Sequence, residues 1–310
     1  MVGAIRNILV QHFVDLGGDW RDTVFLTGAG RGGTTWLAEL MNYRNDWRYI
    51  FEPFYAGEVA DAAPFANWQY VAPGDPAPLL AGYADDVVTG KTRHQRVDMF
   101  NRKLFSTRRL IKEVRANLMV GWLADRYPGM RIVLLLRHPL ATIRSRLAHN
   151  REMDLDGQFL NQPALVRDYL ADKMDVIRAA RTDFERHVAA WCIEHAVALT
   201  QLRGRPCHVT YYERLSVDPE RELASVLRYA GIPFEAKRAR KSMRKPSATA
   251  HDSASAISSG THAIDAWRNA FDAGQIRFAL EVLERFGLGG IYSDAAMPNS
   301  AAVDALLATA

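Results

Sequence analysis

Residues 24–36 read Val-Phe-Leu-Thr-Gly-Ala-Gly-Arg-Gly-Gly-Thr-Thr-Trp. A short apolar run, typical of a buried strand, enters a turn that contains four glycines, and two threonines then begin a predicted helix. The backbone N–H groups of such a turn and the free amides of the helix start point at one place, where they bind an anion. This segment therefore predicts a phosphate-binding loop at the edge of an α/β sheet.

Three kinds of ligand fit a glycine-rich loop of this type. In a nucleotide-triphosphate loop, G-x-x-x-x-G-K-[ST], Gly28 and Gly33 match the glycines, but Thr34 stands in place of the lysine that reaches the phosphates. The dinucleotide fingerprint G-x-G-x-x-G also begins at Gly28, and Glu52 would then bind a ribose. The third ligand is a terminal phosphosulfate, with Arg31 as the cation. The loop alone leaves these alternatives open.

A second motif follows another predicted strand. Residues 132–136 form a continuous apolar run, as expected of a strand that is buried on both faces. Arg137 stands at its carboxyl end, which is the edge where open α/β sheets bind ligands, and Pro139 begins the next helix. Arg137 and Ser145 could together bind one phosphate through charge-assisted hydrogen bonds. A surface arginine and a capping serine are the alternative interpretation.

With both motifs in this order, the chain resembles the sulfotransferases that use 3′-phosphoadenosine 5′-phosphosulfate (PAPS). Residues 30–36 look like their 5′-phosphosulfate loop, and Arg137 with Ser145 looks like their 3′-phosphate motif. Residues 211–215 resemble a segment whose tyrosine, here Tyr212, helps to hold the adenosine, and residues 51–54 resemble a Phe-Glu-Pro segment of the carbohydrate branch. The resemblance implies PAPS contacts from Arg31, Gly32, Gly33, Thr34, Thr35, Trp36, Arg137, Ser145 and Tyr212.

The resemblance also bears on the catalytic residues. Many cytosolic members use a histidine base after a Lys-Thr pair, but Val114 stands at that place in this chain. We therefore take Glu52, which follows a predicted strand, as the candidate base. Burial among aromatic residues would raise its pKa, and a nearby Arg31 would oppose that shift. A structural carboxylate paired with an arginine is the alternative role. Arg31 and Lys112, the latter at another strand end, are the candidate catalytic cations.

The apolar pattern predicts an α/β fold. Strands are predicted at residues 24–27, 48–51, 109–112, 132–136 and 207–211, and helices at residues 183–203, 219–230 and 274–286. Helical patterns between most of the strands favour one domain, residues 1–295, with a central, mainly parallel sheet flanked by helices. Residues 296–310 are predicted to be a loose tail. Two irregular stretches are interpreted as the wall of the acceptor pocket, 55–90, and as a lid over the adenosine phosphates, 237–260.

The composition and charge of the chain exclude some classes of function. The chain is 48% hydrophobic and 24% charged, as in soluble globular proteins, and its net charge of +4 suits an anionic cofactor. We find no RNA-binding signature and no metal-ligand spacing, so we expect neither nucleic acid nor a metal.

The two cysteines fit a reducing compartment. No apolar run approaches the about 18 residues of a membrane span, and the first residues resemble an amphipathic helix rather than a signal peptide. We expect a cytoplasmic protein, and its oligomeric state stays open.

These observations favour one function over two others. We expect sulfuryl transfer from PAPS to a hydroxyl group, and the Arg31 and Glu52 pattern favours a carbohydrate, a glycolipid or another small molecule as the acceptor. An NAD-dependent oxidoreductase that uses the G-x-G-x-x-G-like turn is the first alternative. A non-catalytic nucleotide-binding protein is the second, and it would tolerate the loss of Glu52.

Overall fold

A sheet of five parallel strands lies at the centre of the protein. The computed structural model describes residues 13–101, 103–149, 151–243 and 264–308. Its strands are β1 (Thr23–Gly28), β2 (Arg48–Phe51), β3 (Arg109–Glu113), β4 (Arg131–Leu136) and β5 (Cys207–Tyr211), in the order β2-β3-β1-β4-β5. Every neighbouring pair in this sheet is parallel. Two short segments, Val14–Asp15 and Phe105–Ser106, form a separate parallel pair.

The central strands are buried on both faces, which explains their continuous apolar sequences. Successive side chains alternate between two apolar layers, because neighbouring residues of a strand point to opposite faces. One layer contains Phe25, Ile111, Ile132 and Leu134. The other contains Leu26, Leu110, Val133 and Leu135.

Helices cover both faces of this sheet. They are α1 (Thr34–Met41), α2 (Pro78–Val88), α3 (Val120–Arg126), α4 (Pro139–Leu147), α5 (Met174–Ala179), α6 (Asp183–Gln201), α7 (Tyr212–Val217), α8 (Pro219–Tyr229), α9 (Ala236–Met243), α10 (Ala273–Arg285) and α11 (Ser300–Ala308). Short 3₁₀ turns lie at Trp20–Asp22, Ala60–Ala62, Asn117–Met119, Ala171–Lys173 and Ala266–Asn269, and single turns of π- or α-helix at Asp156–Leu160, Pro163–Leu165 and Val166–Leu170. Among the described residues, no helix has the length and apolarity needed to cross a membrane.

The strand and helix predictions agree with this architecture. All five predicted strands are present, with bounds that differ by at most one residue at either end. Helix α8 begins as predicted, since the Asp218 side chain accepts the N–H of Arg221 and Pro219 occupies the first turn. The long helix α6 begins with a capping box between Thr182 and Glu185. The α/β fold class with a parallel sheet flanked by helices is confirmed.

Two stretches differ from their prediction. The irregular stretch 55–90 contains helix α2, and the predicted loose tail contains helix α11. Val303 of α11 is fully buried, and the Leu307 carbonyl accepts the N–H of Gly204, so apolar packing fixes this end of the chain. The predicted lid begins inside helix α9, but residues 244–260 lie outside the described part of the chain, as do residues 1–12 of the predicted first helix.

The order of the strands locates a binding crevice. The chain leaves β1 towards β2 on one side of the sheet, whereas it leaves β4 towards β5 on the other side. Adjacent strands whose connections diverge in this way open a crevice at their carboxyl ends. The loop after β1 and the turn after β4 both lie at this edge.

Candidate active site

The phosphate loop, residues 28–33, joins β1 to α1. Gly33 is the N-cap of α1 and has a φ of 97°, in the left-handed region that favours glycine. A Cβ atom at Gly33 would lie 2.5 Å from Cδ2 of Tyr212. Thr34 and Thr35 are buried at the start of α1, where the first amides have no partner within the helix. The loop therefore needs glycine at position 33.

Replacing Gly33 with alanine is expected to destabilise the protein by at least about 1–2 kcal/mol, the usual cost of a left-handed residue that carries a Cβ. Displacement of the Tyr212 ring adds to this cost. Gly30→Ala is the matched control, because a Cβ there meets nothing within 4 Å. Urea unfolding of both variants measures the difference, and equal losses at the two positions would contradict the steric argument.

Arg137 brings the two predicted anion-binding motifs together. It follows β4, and its Nη1 donates a hydrogen bond of 3.0 Å to the backbone oxygen of Arg31 in the phosphate loop. Its guanidinium also lies 4.0 Å from the ring centroid of Tyr212, and that ring packs edge-on against Trp36 at 5.6 Å. Side chains from the turn after β4, from α1 and from α7 thus meet at the same crevice.

The Arg31 side chain points towards helix α4 and contacts it. Arg31 has a φ of 70°, which is uncommon for a residue with a Cβ. Its Nε donates to Ser145 Oγ at 3.1 Å, and its Nη2 lies 3.1 Å from Nε2 of His149. The sequence places Arg31 beside the phosphosulfate and Ser145 at the other anion. In the structure, the guanidinium of this loop residue lies against Ser145 and His149, on the side of the crevice where the sequence places the other anion.

A buried ion pair supports the phosphate loop from behind. Arg146 of α4 donates through Nε to the Gly30 carbonyl at 3.1 Å and through Nη2 to both carboxylate oxygens of Glu194 at 3.0 and 2.9 Å. Both side chains are almost completely shielded from solvent. Burial raises the pKa of Glu194, although Arg146 opposes this shift. The loop backbone is therefore held by a fixed charge on α4, which α6 in turn orients.

Glu213 holds the turn that carries Arg137. One oxygen of its carboxyl group accepts the backbone N–H of His138 at 2.8 Å, and the other accepts the Tyr292 hydroxyl at 3.1 Å. Burial raises the pKa of Glu213 to about 6, against the opposing effect of the His138 N–H. The His138 ring stacks on Trp267 at 4.3 Å, and burial lowers its pKa to about 4. Through Tyr292 and Trp267, the Glu213 and His138 side chains link the turn after β4 to the C-terminal part of the chain.

Glu52 lies at the same edge of the sheet, after β2, and three cations surround its carboxylate. Lys112 Nζ lies 2.5 Å from one oxygen, while Arg96 Nη2 and Arg115 Nη1 lie 2.8 and 2.9 Å from the other. Burial alone would raise the pKa of Glu52, but Lys112 and Arg115 outweigh burial and lower the pKa to about 2. Glu52 also has a φ of 45°, so the surroundings hold it in a strained conformation.

The sequence prediction that Glu52 has a raised pKa is therefore wrong. It named Arg31 as the opposing cation, but the Arg31 guanidinium lies against Ser145 and His149. The cations that act on Glu52 are Lys112 and two arginines from separate segments. Lys112, whose own pKa burial lowers, is the one member of that group that the sequence singled out.

Sequence reasoning missed Arg146, His149 and Glu194. The three lie on or near helices that were expected, but no motif marks them. An i,i+4 spacing places His149 near Ser145, which is the only local signal for any of the three. Among the described residues, no group of three or more His, Cys, Asp or Glu side chains is arranged to hold a metal ion.

One family model matches more than half of the chain. The sequence profile described as "Sulfotransferase family" matches residues 23–236. No curated protein matches the chain. Similar solved structures include a mouse sulfotransferase complexed with PAP, at 16% identity over 97% of this chain and 91% of that chain with a TM-score of 0.44. They also include the sulfotransferase domain of a Synechococcus olefin synthase, at 12% identity over 84% of this chain and 94% of that chain with a TM-score of 0.43.

Proposed function

This chain belongs to the sulfotransferase family, and we propose that it transfers a sulfuryl group from PAPS to a hydroxyl of a carbohydrate, a glycolipid or another small molecule. One observation carries the proposal. The phosphate loop and the arginine after β4 meet, with Arg137 Nη1 3.0 Å from the Arg31 oxygen, and Arg31 reaches Ser145. Two groups of candidate anion ligands are thus in contact, which supports a nucleotide with phosphates on both its 3′ and 5′ positions as the ligand.

The residues of the crevice fit such a nucleotide. The loop amides, Thr34 and Thr35 would hold the 5′-phosphosulfate, because a helix start with free N–H groups favours an anion. Arg137 and Ser145 would hold the 3′-phosphate. The Nε atom of Arg137 is buried and has no hydrogen-bond partner among the described residues, so this guanidinium has a donor to offer. Tyr212, against which Arg137 packs, would border the adenosine.

The chemistry needs positioning and charge stabilisation. When bound, PAPS supplies the activated sulfuryl group. The acceptor oxygen forms a bond to sulfur while the bond from sulfur to the bridging oxygen of the 5′-phosphate breaks, and that bridging oxygen takes the negative charge. The loop amides and the cations Arg31 and Lys112 would stabilise this charge, which is the main means of catalysis for a loose, in-line transfer. Arg31 stays protonated throughout, so it acts as a charge clamp.

Glu52 is the proposed acceptor of the hydroxyl proton. Its pKa of about 2 makes it a weak base. A weak base suffices if the proton leaves late, because the acceptor oxygen becomes much more acidic as its bond to sulfur forms. An oxidoreductase would instead need this carboxylate on a ribose. Its oxygens bond Lys112, Arg96 and Arg115, which disfavours that alternative.

Aromatic residues near Glu52 bear on the acceptor class. Phe65 is buried and packs against Phe54 and Tyr83, so it belongs to the core. Tyr55 and Trp68 are half-buried and face the Arg115 guanidinium at 3.9 and 6.0 Å from their ring centroids. Partly exposed aromatic side chains beside the candidate base would suit packing against a sugar ring, which supports a carbohydrate or glycolipid acceptor.

Two measurements test the proposal. Calorimetry with adenosine 3′,5′-bisphosphate, NAD and ATP compares the nucleotides directly, and only the bisphosphate should bind tightly. Transfer of labelled sulfate from PAPS to a panel of hydroxylated acceptors then tests the reaction and identifies the acceptor. Preferential binding of NAD would favour the oxidoreductase. Tight binding of the bisphosphate without transfer to any acceptor class would favour the non-catalytic protein.

Replacing Arg137 with alanine is expected to weaken the bisphosphate by about tenfold to a hundredfold, the usual worth of a hydrogen bond to a charged group. Adenosine 5′-phosphate should lose much less affinity, because it has no 3′-phosphate for this arginine and loses only the support that Arg137 gives to the Arg31 carbonyl and the Tyr212 ring. Arg131→Ala, at the opposite end of β4, is the matched control. Calorimetric titration of both nucleotides measures the effect, and equal weakening of the two would overturn the assignment of Arg137.

A further inference from the structure

The chain leaves the sheet at Glu52. The Glu52 N–H donates to the Lys112 backbone oxygen at 2.8 Å, just after the end of β2. Glu52 then has a left-handed φ of 45°, and the next residue, Pro53, has no N–H to donate. Phe54 follows and is almost completely buried, so its backbone N–H needs a partner within the protein.

The carboxylate of Glu113 is that partner. Glu113 ends β3 and is fully buried. Its Oε2 accepts the Phe54 N–H at 2.9 Å, and its Oε1 accepts the N–H groups of Val114 and Arg115 at 2.8 and 3.0 Å. Three backbone N–H groups thus compensate the burial of this carboxylate. The bond to Phe54 also joins the chain after β2 to the end of β3.

The same carboxylate lies next to the candidate base. Arg115 Nη1 is 2.9 Å from Glu52 Oε2 and 3.9 Å from Glu113 Oε1, so one guanidinium contacts both acidic side chains. The bonds from Glu113 to the backbone of Val114 and Arg115 fix the segment that carries this guanidinium. The bond to Phe54 fixes the chain two residues after Glu52.

We propose that Glu113 is a positioning residue for sulfuryl transfer, and that it acts by holding the Glu52 carboxylate where it accepts the hydroxyl proton. The inference rests on the proposed function and adds a residue to its mechanism. Glu52 has an unfavourable backbone conformation, which persists only when the surrounding structure imposes it. The bond between the Phe54 N–H and Glu113 is the restraint next to this strained residue.

Glu113→Gln removes this restraint with little change in shape. The amide oxygen of glutamine can still accept the N–H groups of Val114 and Arg115, but its NH₂ group can only donate and therefore cannot accept the Phe54 N–H. We expect turnover with saturating PAPS and acceptor to fall by about tenfold to a hundredfold, since a misplacement of about 1 Å can cost about a hundredfold. Affinity for adenosine 3′,5′-bisphosphate, measured by calorimetry, should be unchanged and reports that the variant is folded.

A double-variant cycle separates positioning from a purely structural role. In Glu52→Gln there is no base left to position, so the addition of Glu113→Gln should lower turnover no further. An equal fall in turnover with and without Glu52 would overturn this inference alone, and so would normal turnover in Glu113→Gln. A protein that, before any substitution, transfers no sulfate to any acceptor would overturn the proposed function and this inference with it.

Glu185→Gln is the matched control for the loss of a carboxylate that accepts backbone N–H groups. Glu185 lies in the first turn of α6, where its Oε2 accepts the N–H groups of Arg181 and Thr182 at 2.7 and 2.9 Å. This variant should keep normal turnover. A fall in turnover as large as that in Glu113→Gln would show that the effect is not specific to the restraint beside Glu52, which would overturn the inference.

Discussion

Replacing Glu52 with glutamine is expected to slow sulfuryl transfer by about 100-fold to 10,000-fold, the range attributed to a positioned general base. Glutamine has nearly the same shape but cannot accept the hydroxyl proton. Affinity for adenosine 3′,5′-bisphosphate should change little, because Glu52 is not among the proposed nucleotide ligands. Turnover with saturating PAPS and an acceptor from the panel measures the effect. Undiminished transfer would remove Glu52 from the mechanism.

A structural role of Glu52 must be separated from a chemical one. The carboxylate neutralises Lys112 and Arg115, so its loss also destabilises the fold. Glu58→Gln is the matched control, because Glu58 pairs with Arg96 in the same cluster but lies on the surface and leaves Glu52 intact. That variant should transfer sulfate at nearly the normal rate. A similar loss of turnover in both variants would indicate that the charge cluster, rather than a base, is needed.

The pH dependence of stability offers a second readout for the same variant. The pKa of Glu52 is about 2 in the folded protein, below its ordinary value of 4.5. The unfolded chain therefore binds more protons between these values, and the stability due to Glu52 is present above pH 4.5 and is lost as the pH falls towards 2. Between pH 4.5 and about pH 2, stability should fall less steeply with decreasing pH in Glu52→Gln than in the unaltered protein. Acid unfolding followed by circular dichroism measures this difference. The carboxylate is ionised near neutral pH, so Glu52 should add no inflection to the pH dependence of stability in that range.

Much of the fold could be predicted from local sequence. Strands such as Arg131–Leu136 are buried on both faces and therefore have continuous apolar sequences. Helix α2 was missed because half of its buried residues are alanines, Ala81 and Ala84, while Leu79 is exposed. Such a face has little apolar contrast. Helix α11 was missed although it is rich in alanine, a strong helix former, because contacts with distant parts of the chain, such as the burial of Val303, fix it.

The residues of the site could be predicted only where they belong to a recognisable sequence motif. Glycine and arginine at a strand end predicted the phosphate loop and Arg137, and these do lie together. The surroundings of Glu52 depend on Arg96 and Arg115, which approach it from other segments of the chain, and no spacing rule brings them to one carboxylate. The sign of its pKa shift could therefore not be derived from the sequence. The same holds for the Arg146 and Glu194 pair, whose members are 48 residues apart.

Replacing Glu194 with alanine is expected to lower the free energy of unfolding by about 3–5 kcal/mol, the usual cost of leaving one charge of a buried pair uncompensated. Arg146 would keep its bond to the Gly30 carbonyl but lose both bonds to the carboxylate. Urea unfolding measures the loss. A change below about 1 kcal/mol, typical of exposed ion pairs, would show that the pair contributes little.

A double variant separates stability from support of the phosphate loop. Arg146→Met with Glu194→Leu replaces the pair by apolar side chains of similar size, and such replacements of buried ion pairs are often neutral or stabilising. We expect stability to recover, while the Gly30 carbonyl loses its donor and the phosphate loop loses its support. Affinity for adenosine 3′,5′-bisphosphate should then fall in a protein that is as stable as the original one. If affinity recovered together with stability, the buried pair would serve the fold alone, because the loop would keep its shape without Arg146.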